Sequence, residues 1–418
     1  MAQEGVVLRK EVRQRLQELQ KADILVGIPS YNNARTIGHV VRAVRAGMAK
    51  YFPTLRAVLV NADGGSKDGT PQVVQQATVD LDTLLIAQRR DNLFKIVTPY
   101  HGLAGKGSAF RTIFEIAQEL QVKACAVVDA DLRSITPEWM DLLLRPVLEA
   151  GYDFVAPYYL RHKYDGTITN TIVYPLTRAL YGKRIRQPIG GDFGISQRLV
   201  ATYLQRDVWQ TDIARFGIDI WMSTTAVAEG YKVCQAFLGA KIHDPKEPSA
   251  DLAQMLQQVV GSVFMLMELY EEVWKAVEGS QDVPVFGFRY TVGVEPVYVN
   301  LGRMLERFRL GLRELAGLWE QILSAELLQA LREMAAEEPF RLPDELWVRI
   351  IYEFALAWHA KVMSRQHILR SLTPLYLGKV ASFVLQTQHS SPQEVEDRLE
   401  ALCLAFEQNK HYLVQRWQ

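Results

Sequence analysis

Apolar residues along the first 130 or so positions come in short runs, and each run ends in Gly, Pro, Asn or Asp. "ILVGIPSY" (24–31), "LRAVLVNADGG" (55–65), "FKIVTPY" (94–100) and "KACAVVDADL" (123–132) have the length of buried strands. Between them, "ARTIGHVVRAVRAGMAKYF" (34–52), "PQVVQQATVDLDTLL" (71–85) and "SAFRTIFEIAQELQ" (108–121) repeat apolar residues at helical spacing. Such alternation predicts an α/β domain, a mostly parallel sheet with helices on both faces, because parallel strands need crossover connections. Ligands of such sheets bind outside the carboxyl ends of the strands. The predicted strand ends carry Pro29-Ser30-Tyr31-Asn32, Asn61-Ala62-Asp63-Gly64-Gly65 and Asp129-Ala130-Asp131.

Beyond about residue 250 the pattern is helical, rich in Leu, Glu, Gln and Arg and poor in Gly. The expected organisation is an N-terminal helix over 1–22, an α/β domain over 23–250 and a mainly helical subdomain over 251–418. "VPVFGFRYTVGVEPVYVN" (283–300) departs from the helical pattern and predicts a loop or a short strand pair. The 418 residues are 49% hydrophobic and 22% charged, ordinary for a globular protein. Formal net charge is zero, which excludes a global attraction to nucleic acid or to an anionic membrane. Any anion site must be local. Cys125, Cys234 and Cys403 show no metal-ligand spacing, and their odd number argues against a disulfide framework. The charged start does not read as a signal peptide, and no stretch approaches about 20 uncharged apolar residues, so the expectation is a cytoplasmic protein without a membrane span.

The chemistry concentrates at the strand ends. Asp129 and Asp131 are one residue apart, and in extended backbone such side chains point the same way. Two carboxylates facing one divalent cation, Mg²⁺ or Mn²⁺, relieve their mutual repulsion; the alternative is a turn whose aspartates cap the next helix. "GLAGKGSAFRTIF" (102–114) lacks Walker spacing, but it places Lys106 between glycines at a helix start, where free N–H groups favour an anion. A plain turn with a solvated lysine fits equally well. Asp63 in "NADGGSKDGT" (61–70) is placed to accept hydrogen bonds from a ribose or base, with Ser66 to Thr70 capping the following helix.

In order and spacing, "GIPSYNNARTI", "NADGGSKDGT", "GKGSAFRT" and "VVDADLRSITPEW" resemble the nucleotide-binding half of GT-A glycosyltransferases of the family 2-like group. "IRQPIGGDFGISQRLV" (185–200), "RFGIDIWMSTTAVAEGY" (215–231) and "GAKIHDPK" (239–246) look like segments of glucosyl-3-phosphoglycerate and mannosylglycerate synthases. The resemblance spans roughly residues 22–250. It implies a retaining, metal-dependent hexosyl transfer from a GDP- or UDP-hexose to D-glycerate or 3-phosphoglycerate, in compatible-solute synthesis.

The resemblance also implies roles. Pro29, Tyr31 and Asn33 line the nucleobase pocket with Asp63 nearby, and Lys106 contacts the phosphates. Asp129 faces ribose and metal, Asp131 binds the metal directly, and His243 is a second protein ligand. Gln187 to Asp192, with Gly190 and Gly191 allowing close approach, hold the donor sugar. Asp219 contacts the acceptor or a sugar hydroxyl. Shorter aspartates stand at 192 and 219, where relatives carry glutamate. For the acceptor, Arg161, His162, Lys163, Lys183, Arg184 and Arg186 are a candidate anion clamp, and Thr167 and Thr169 are candidate carboxylate partners. Their alternative is a solvated charged surface. A sugar-phosphate nucleotidyltransferase, a non-catalytic sugar-nucleotide-binding module and homodimerisation through the helical tail stay open.

Overall fold

A computed structural model of the chain describes residues 8–77, 93–100, 105–214, 217–243, 252–290 and 292–418. The chain divides into two compact units. The first comprises Met1–Leu160, Arg186–Asp244 and Val283–Val294; the second comprises Arg161–Ile185, Pro245–Asp282 and Glu295–Gln418.

The first unit is built on one sheet. Its strands are β1 (Ile24–Ser30), β2 (Ala57–Asp63), β3 (Phe94–Pro99), β4 (Ala124–Val127), β5 (Phe154–Leu160), β6 (Phe193–Ser196), β7 (Val233–Ala240) and β8 (Val285–Phe286), in the order β3-β2-β1-β4-β6-β5-β7-β8. All neighbours are parallel except β6, which runs antiparallel to both β4 and β5. β1 is apolar at successive positions because both its faces are covered. Ile24, Val26 and Ile28 pack with Val40, Val44 and Met48 of the helix Ile37–Tyr51 and with Trp139, Met140 and Leu143 of the helix Glu138–Ala150. On the other face, a Cβ at Gly27 would lie 2.5 Å from Ile113, so the helix Lys106–Glu119 sits directly against the strand there.

Two strand registers set the functional edge. Pairing of Ser30 with Asp63, and of Gly27 with Val127, brings the ends of β1, β2 and β4 to one side of the sheet. The antiparallel β6 adds something the sequence pattern did not show. Its first residue, Phe193, pairs with the last of β4, Val127, so the segment before β6 opens onto the same edge.

The four strands read from the sequence all form. The helix expected over 71–85 is seen as Thr70–Gln76, and the rest of it lies outside the described residues, as do 102–104 of the glycine loop and Asp244-Pro245. The N-terminal helix is Lys10–Leu19. The 283–300 stretch forms one two-residue strand, β8, on the sheet edge, and its other described residues lack regular structure.

The second unit is mainly helical, with Leu252–Leu269, Leu301–Glu314, Asp344–Ala360, Arg365–Thr387 and Pro392–Gln408 as its long elements. Arg178 is completely buried in it and donates to Glu400 at 2.5 Å and to Glu407 at 2.6 Å. Leu252–Leu269 and Arg365–Thr387 are long and apolar enough to cross a membrane by length and composition. In the second of these, 72% of the most apolar window is buried, as in a core helix.

Gly194 in β6 marks how tightly the helix Glu138–Ala150 lies on this part of the sheet: a Cβ there would sit 2.0 Å from the Leu143 carbonyl oxygen. Backbone cannot yield as a side-chain tip does, so Gly194→Ala is expected to cost at least the about 1–3 kcal/mol typical of overpacking. Urea denaturation followed by circular dichroism measures it, and an unchanged midpoint contradicts this packing.

Candidate functional site

Each predicted strand end is organised by its own short-range hydrogen bonds. Asp63, 4% exposed, accepts from Ser30 Oγ at 2.9 Å, from the N–H groups of Gly65 and Ser66 at 2.9 and 2.8 Å, and from Ser66 Oγ at 2.6 Å. Its two oxygens therefore tie the loop after β2 to the end of β1. Asn33 closes the neighbouring loop: its Oδ1 accepts from the Tyr31 N–H, and its own N–H donates to Thr70 Oγ1, both at 2.8 Å. Tyr31 stands out from this rim at 61% exposure, and Pro29 is half-buried in β1.

The centre is a network of two lysines and three aspartates. Lys106, the first residue of its helix, places Nζ 2.7 Å from Asp129 Oδ1 and 3.1 Å from Asp219 Oδ2. Lys241, just after β7, places Nζ 2.7 Å from Asp129 Oδ2, 2.8 Å from Asp192 Oδ2 and 2.7 Å from the Gly190 carbonyl. Asp192 Oδ1 accepts the Asp129 N–H at 2.8 Å, and Tyr159 O–H donates to Asp192 Oδ2. The antiparallel β6 explains this meeting, since Asp192 immediately precedes it and so lands beside the end of β4.

Electrostatics follow from burial and partners. Burial alone would raise the Asp129 pKa, but the ammonium groups of Lys106 and Lys241 outweigh it and hold the carboxyl well below its usual range. Burial would lower the Lys106 pKa, yet Asp129 and Asp219 beside it raise it instead. Burial dominates at Asp192 and Asp219, and both carboxyls are pushed up. Asp219 Oδ1 is buried without a hydrogen-bond partner in the described residues.

Asp131 stands apart from this network. It is partly exposed, and its side chain has no hydrogen bond or ion pair among the described residues. The loop after it is pinned to the end of β7: Arg133 N–H donates to the Ile242 carbonyl at 2.9 Å, Ile242 N–H donates to Ser134 Oγ at 2.9 Å, and the Arg133 guanidinium reaches the His243 carbonyl at 3.3 Å. The structure thereby brings the stretches holding Asp131 and His243 together. Among the described residues no group of three or more His, Cys, Asp or Glu side chains is arranged to hold a metal ion.

Gln187, Gly190 and Gly191, expected from the resemblance to hold the donor sugar, lie in the same unit. The Gly190 N–H donates to the Gln187 carbonyl at 3.0 Å, and Gln187 is buried. Gly191 has φ +89°, and a Cβ there would lie 2.4 Å from Asp129 Oδ2 and 2.9 Å from Lys106 Nζ. Glycine is required on both counts.

The acceptor candidates Arg161, Lys163, Thr167, Thr169 and Arg184 belong to the second unit. Lys163 Nζ donates to the carbonyls of Thr387, Gln388 and Ser390 at 2.6, 3.1 and 3.3 Å, which caps the C-terminus of the helix Arg365–Thr387. Arg184 donates to Ser280 Oγ at 3.0 Å and pairs with Asp282 at 3.4 Å. Arg161 pairs with Asp165 at 3.6 Å. The Thr167 hydroxyl bonds Tyr376 O–H at 2.5 Å, and Thr169 is buried in a single π-helical turn, Thr169–Val173. Lys183 reaches Gln281 Oε1 at 3.4 Å, whereas the Arg186 N–H in the first unit donates to Gln235 Oε1 at 2.7 Å.

Lys241 and Tyr159 escaped the reading of the sequence. A signal existed for Lys241: it is the first charged residue after eight buried strand positions, at the edge where ligands bind. Tyr159 carried none, since an aromatic residue inside a strand is ordinary core.

The mostly parallel sheet flanked by helices is an α/β fold of the GT-A type. Residues 25–199 match the family model described as glycosyl transferase family 2. No curated protein matches the chain. Solved structures similar to it include glucosyl-3-phosphoglycerate synthase from Mycobacterium tuberculosis in complex with Mn²⁺, UDP and glucosyl-3-phosphoglycerate, at 19% identity over 60% of this chain and 83% of that one, with a TM-score of 0.43. The same enzyme with Mn²⁺, UDP-glucose and phosphoglyceric acid aligns at 18% identity over 61% of this chain and 84% of that one, with a TM-score of 0.42.

Two substitutions test the network. Asp192→Ala takes one of two carboxylates from the Lys241 ammonium, which is 4% exposed and keeps Asp129, and removes the acceptor of the Asp129 N–H. It is expected to cost about 1–3 kcal/mol, as loss of a buried hydrogen-bond partner does. Gly191→Ala is expected to cost about 1–3 kcal/mol through its left-handed backbone alone and to displace Asp129 or Lys106 as well. Denaturant midpoints report both, and two near-neutral results contradict the network.

Proposed function

We propose that the chain is a metal-dependent retaining hexosyltransferase, moving glucose or mannose from a nucleoside-diphosphate sugar to D-glycerate or a phosphorylated glycerate. The observation that carries this reading is the edge where Lys106 meets Asp129 at 2.7 Å, two residues before a carboxylate, Asp131, that has no side-chain partner among the described residues. The choice of sugar, and of glycerate over its phosphate, rests on the motif resemblance. With all five groups ionised, two lysines and three aspartates leave the central network one negative charge in excess before Asp131 is counted.

Mg²⁺ or Mn²⁺ fits the residues present. Asp131 and His243, whose stretches the structure brings together, would hold it against the donor's diphosphate. Such a small protein share is usual for Mg²⁺ bound with phosphates. When bound, the ion supplies positive charge to the departing diphosphate.

The chain's own groups do the rest. Lys106 neutralises phosphate charge as the bond to the sugar breaks. Asp192 is no candidate nucleophile, because it is fully buried and both its oxygens are engaged. Asp219 keeps one buried oxygen without a partner, suited to receive a hydroxyl of the sugar or of the acceptor. With Asp192 engaged through both oxygens and Asp219 paired with Lys106, front-side displacement is the preferred course and double displacement the alternative; in the first, the acceptor proton passes to the departing phosphate oxygen. The product keeps the α-linkage of the donor.

Asp131→Ala is expected to abolish turnover with an unchanged circular dichroism spectrum. Full activity of this variant in chelator removes the metal assignment. A grid of UDP- and GDP-hexoses against glycerate, 3-phosphoglycerate and glycerol, read by product mass with and without Mn²⁺, tests the substrate class. Proton NMR of the anomeric signal in the first minutes is expected to show an α-linked product; a β-linked one makes the enzyme inverting and Asp219 its general base.

A further inference from the structure

The two central lysines differ in how many of their donors are free for a substrate. An ammonium has three N–H donors and no acceptor. Lys241 Nζ meets three oxygens, at 2.7, 2.7 and 2.8 Å, and its side chain is 4% exposed. Lys106 Nζ meets two carboxylates, at 2.7 and 3.1 Å, while its third neighbour, the Gly191 carbonyl, lies at 3.5 Å, the outer limit of a hydrogen bond. Its side chain is 18% exposed.

We propose that Lys241 is a positioning residue that holds Asp129 and the 190–192 loop in one arrangement without touching the donor, while Lys106 is the lysine that exchanges protein partners for the diphosphate. This rests on the function proposed above. Lys241 begins at the end of β7, passes Tyr159 of β5 with Nζ 5.0 Å from the ring centroid, and reaches Asp192 before β6 and Asp129 after β4. It therefore straps four adjacent strands together at their ligand-binding edge. Asp129 belongs to the turn assigned to metal and ribose, and Gly190 to Asp192 belong to the loop assigned to the transferred sugar. Their separation sets where the reacting carbon sits relative to the leaving phosphate. For Lys241 to reach a phosphate it must leave Asp192, whose fully buried carboxylate would then keep only the neutral Tyr159 hydroxyl and Asp129 N–H as partners. When Lys106 turns away, Asp129 keeps Lys241, whereas Asp219 gives up its ion pair and is left to bond hydroxyls of the bound sugar or acceptor. The greater exposure of Lys106 and its weakly held third donor mark it as the lysine that exchanges.

The test compares Lys241→Met, Lys241→Arg, Lys106→Met and the double variant Lys241→Met/Asp192→Asn. Binding of UDP and GDP with Mn²⁺ is followed by calorimetry, and kcat and KM are measured with the best donor and acceptor of the grid. Lys241→Met is expected to bind nucleoside diphosphate within about threefold of wild type and to lose about a hundredfold in kcat, the scale of a misplacement near 1 Å. Lys241→Arg, which keeps the cation, is expected to recover at least about a tenth of wild-type kcat. Lys106→Met is expected to weaken nucleoside-diphosphate binding at least about tenfold. The double variant removes the stranded buried charge, so its denaturant midpoint approaches wild type while kcat stays low, which separates positioning from folding. The proposal is overturned if Lys241→Met weakens nucleotide binding as much as Lys106→Met, or leaves kcat unchanged. A wild type that binds nucleotide but turns over no donor refutes the functional reading alone, and the binding arm then decides the roles of the lysines. A wild type that binds neither nucleotide refutes both.

Discussion

The Asp129 carboxylate, held between two ammonium groups at 2.7 Å each, is the interaction on which the site depends. Taken singly, each of these charges is costly to remove from water. Together they are tolerated because every charge has an opposite neighbour and most lone pairs have donors. The exceptions are informative. Asp219 Oδ1 is buried without a partner, and Asp131 has none among the described residues. Under the proposed function, these are the positions at which a substrate group or a cation would complete the arrangement rather than compete with it.

Topology makes that arrangement possible. An all-parallel sheet would carry the segment before β6 to the far edge, away from Asp129. Because β6 runs antiparallel between β4 and β5, its beginning lies at their ends. A short loop then supplies Gly191, with a left-handed φ of +89°, and Asp192, whose Oδ1 receives the Asp129 N–H. The missing Cβ at 191 is what allows Lys106 and Asp129 to approach so closely. Charge pairing and backbone conformation are thus two sides of one constraint.

The basic residues of the second unit follow different physics. Lys163 holds three carbonyls at a helix end, Arg178 is buried between two glutamates, and Arg184 leans on Ser280 and Asp282. Groups so engaged stabilise their own unit. An anionic acceptor would recruit them only by displacing those partners, a cost that weighs most on Lys163 and Arg178 and least on Arg184, which is a third exposed.

Local pattern was enough to read the strands, the covering helices and the edge on which chemistry would gather, because strand and helix periodicities and turn residues act over a few positions. It singled out Lys106, Asp129 and Asp131 for the same reason: a charged residue next to glycines or at the end of an apolar run is unusual within its own neighbourhood. The pairing of Lys241 with Asp129 and Asp192 was decided by tertiary structure alone. Those residues stand 112 and 49 positions away along the chain, and only a reversed strand and the register between β5 and β7 bring them together. The division of labour proposed for the two lysines was likewise invisible in the sequence. It depends on how many N–H donors each has already committed, which is a matter of distances between residues remote in the chain.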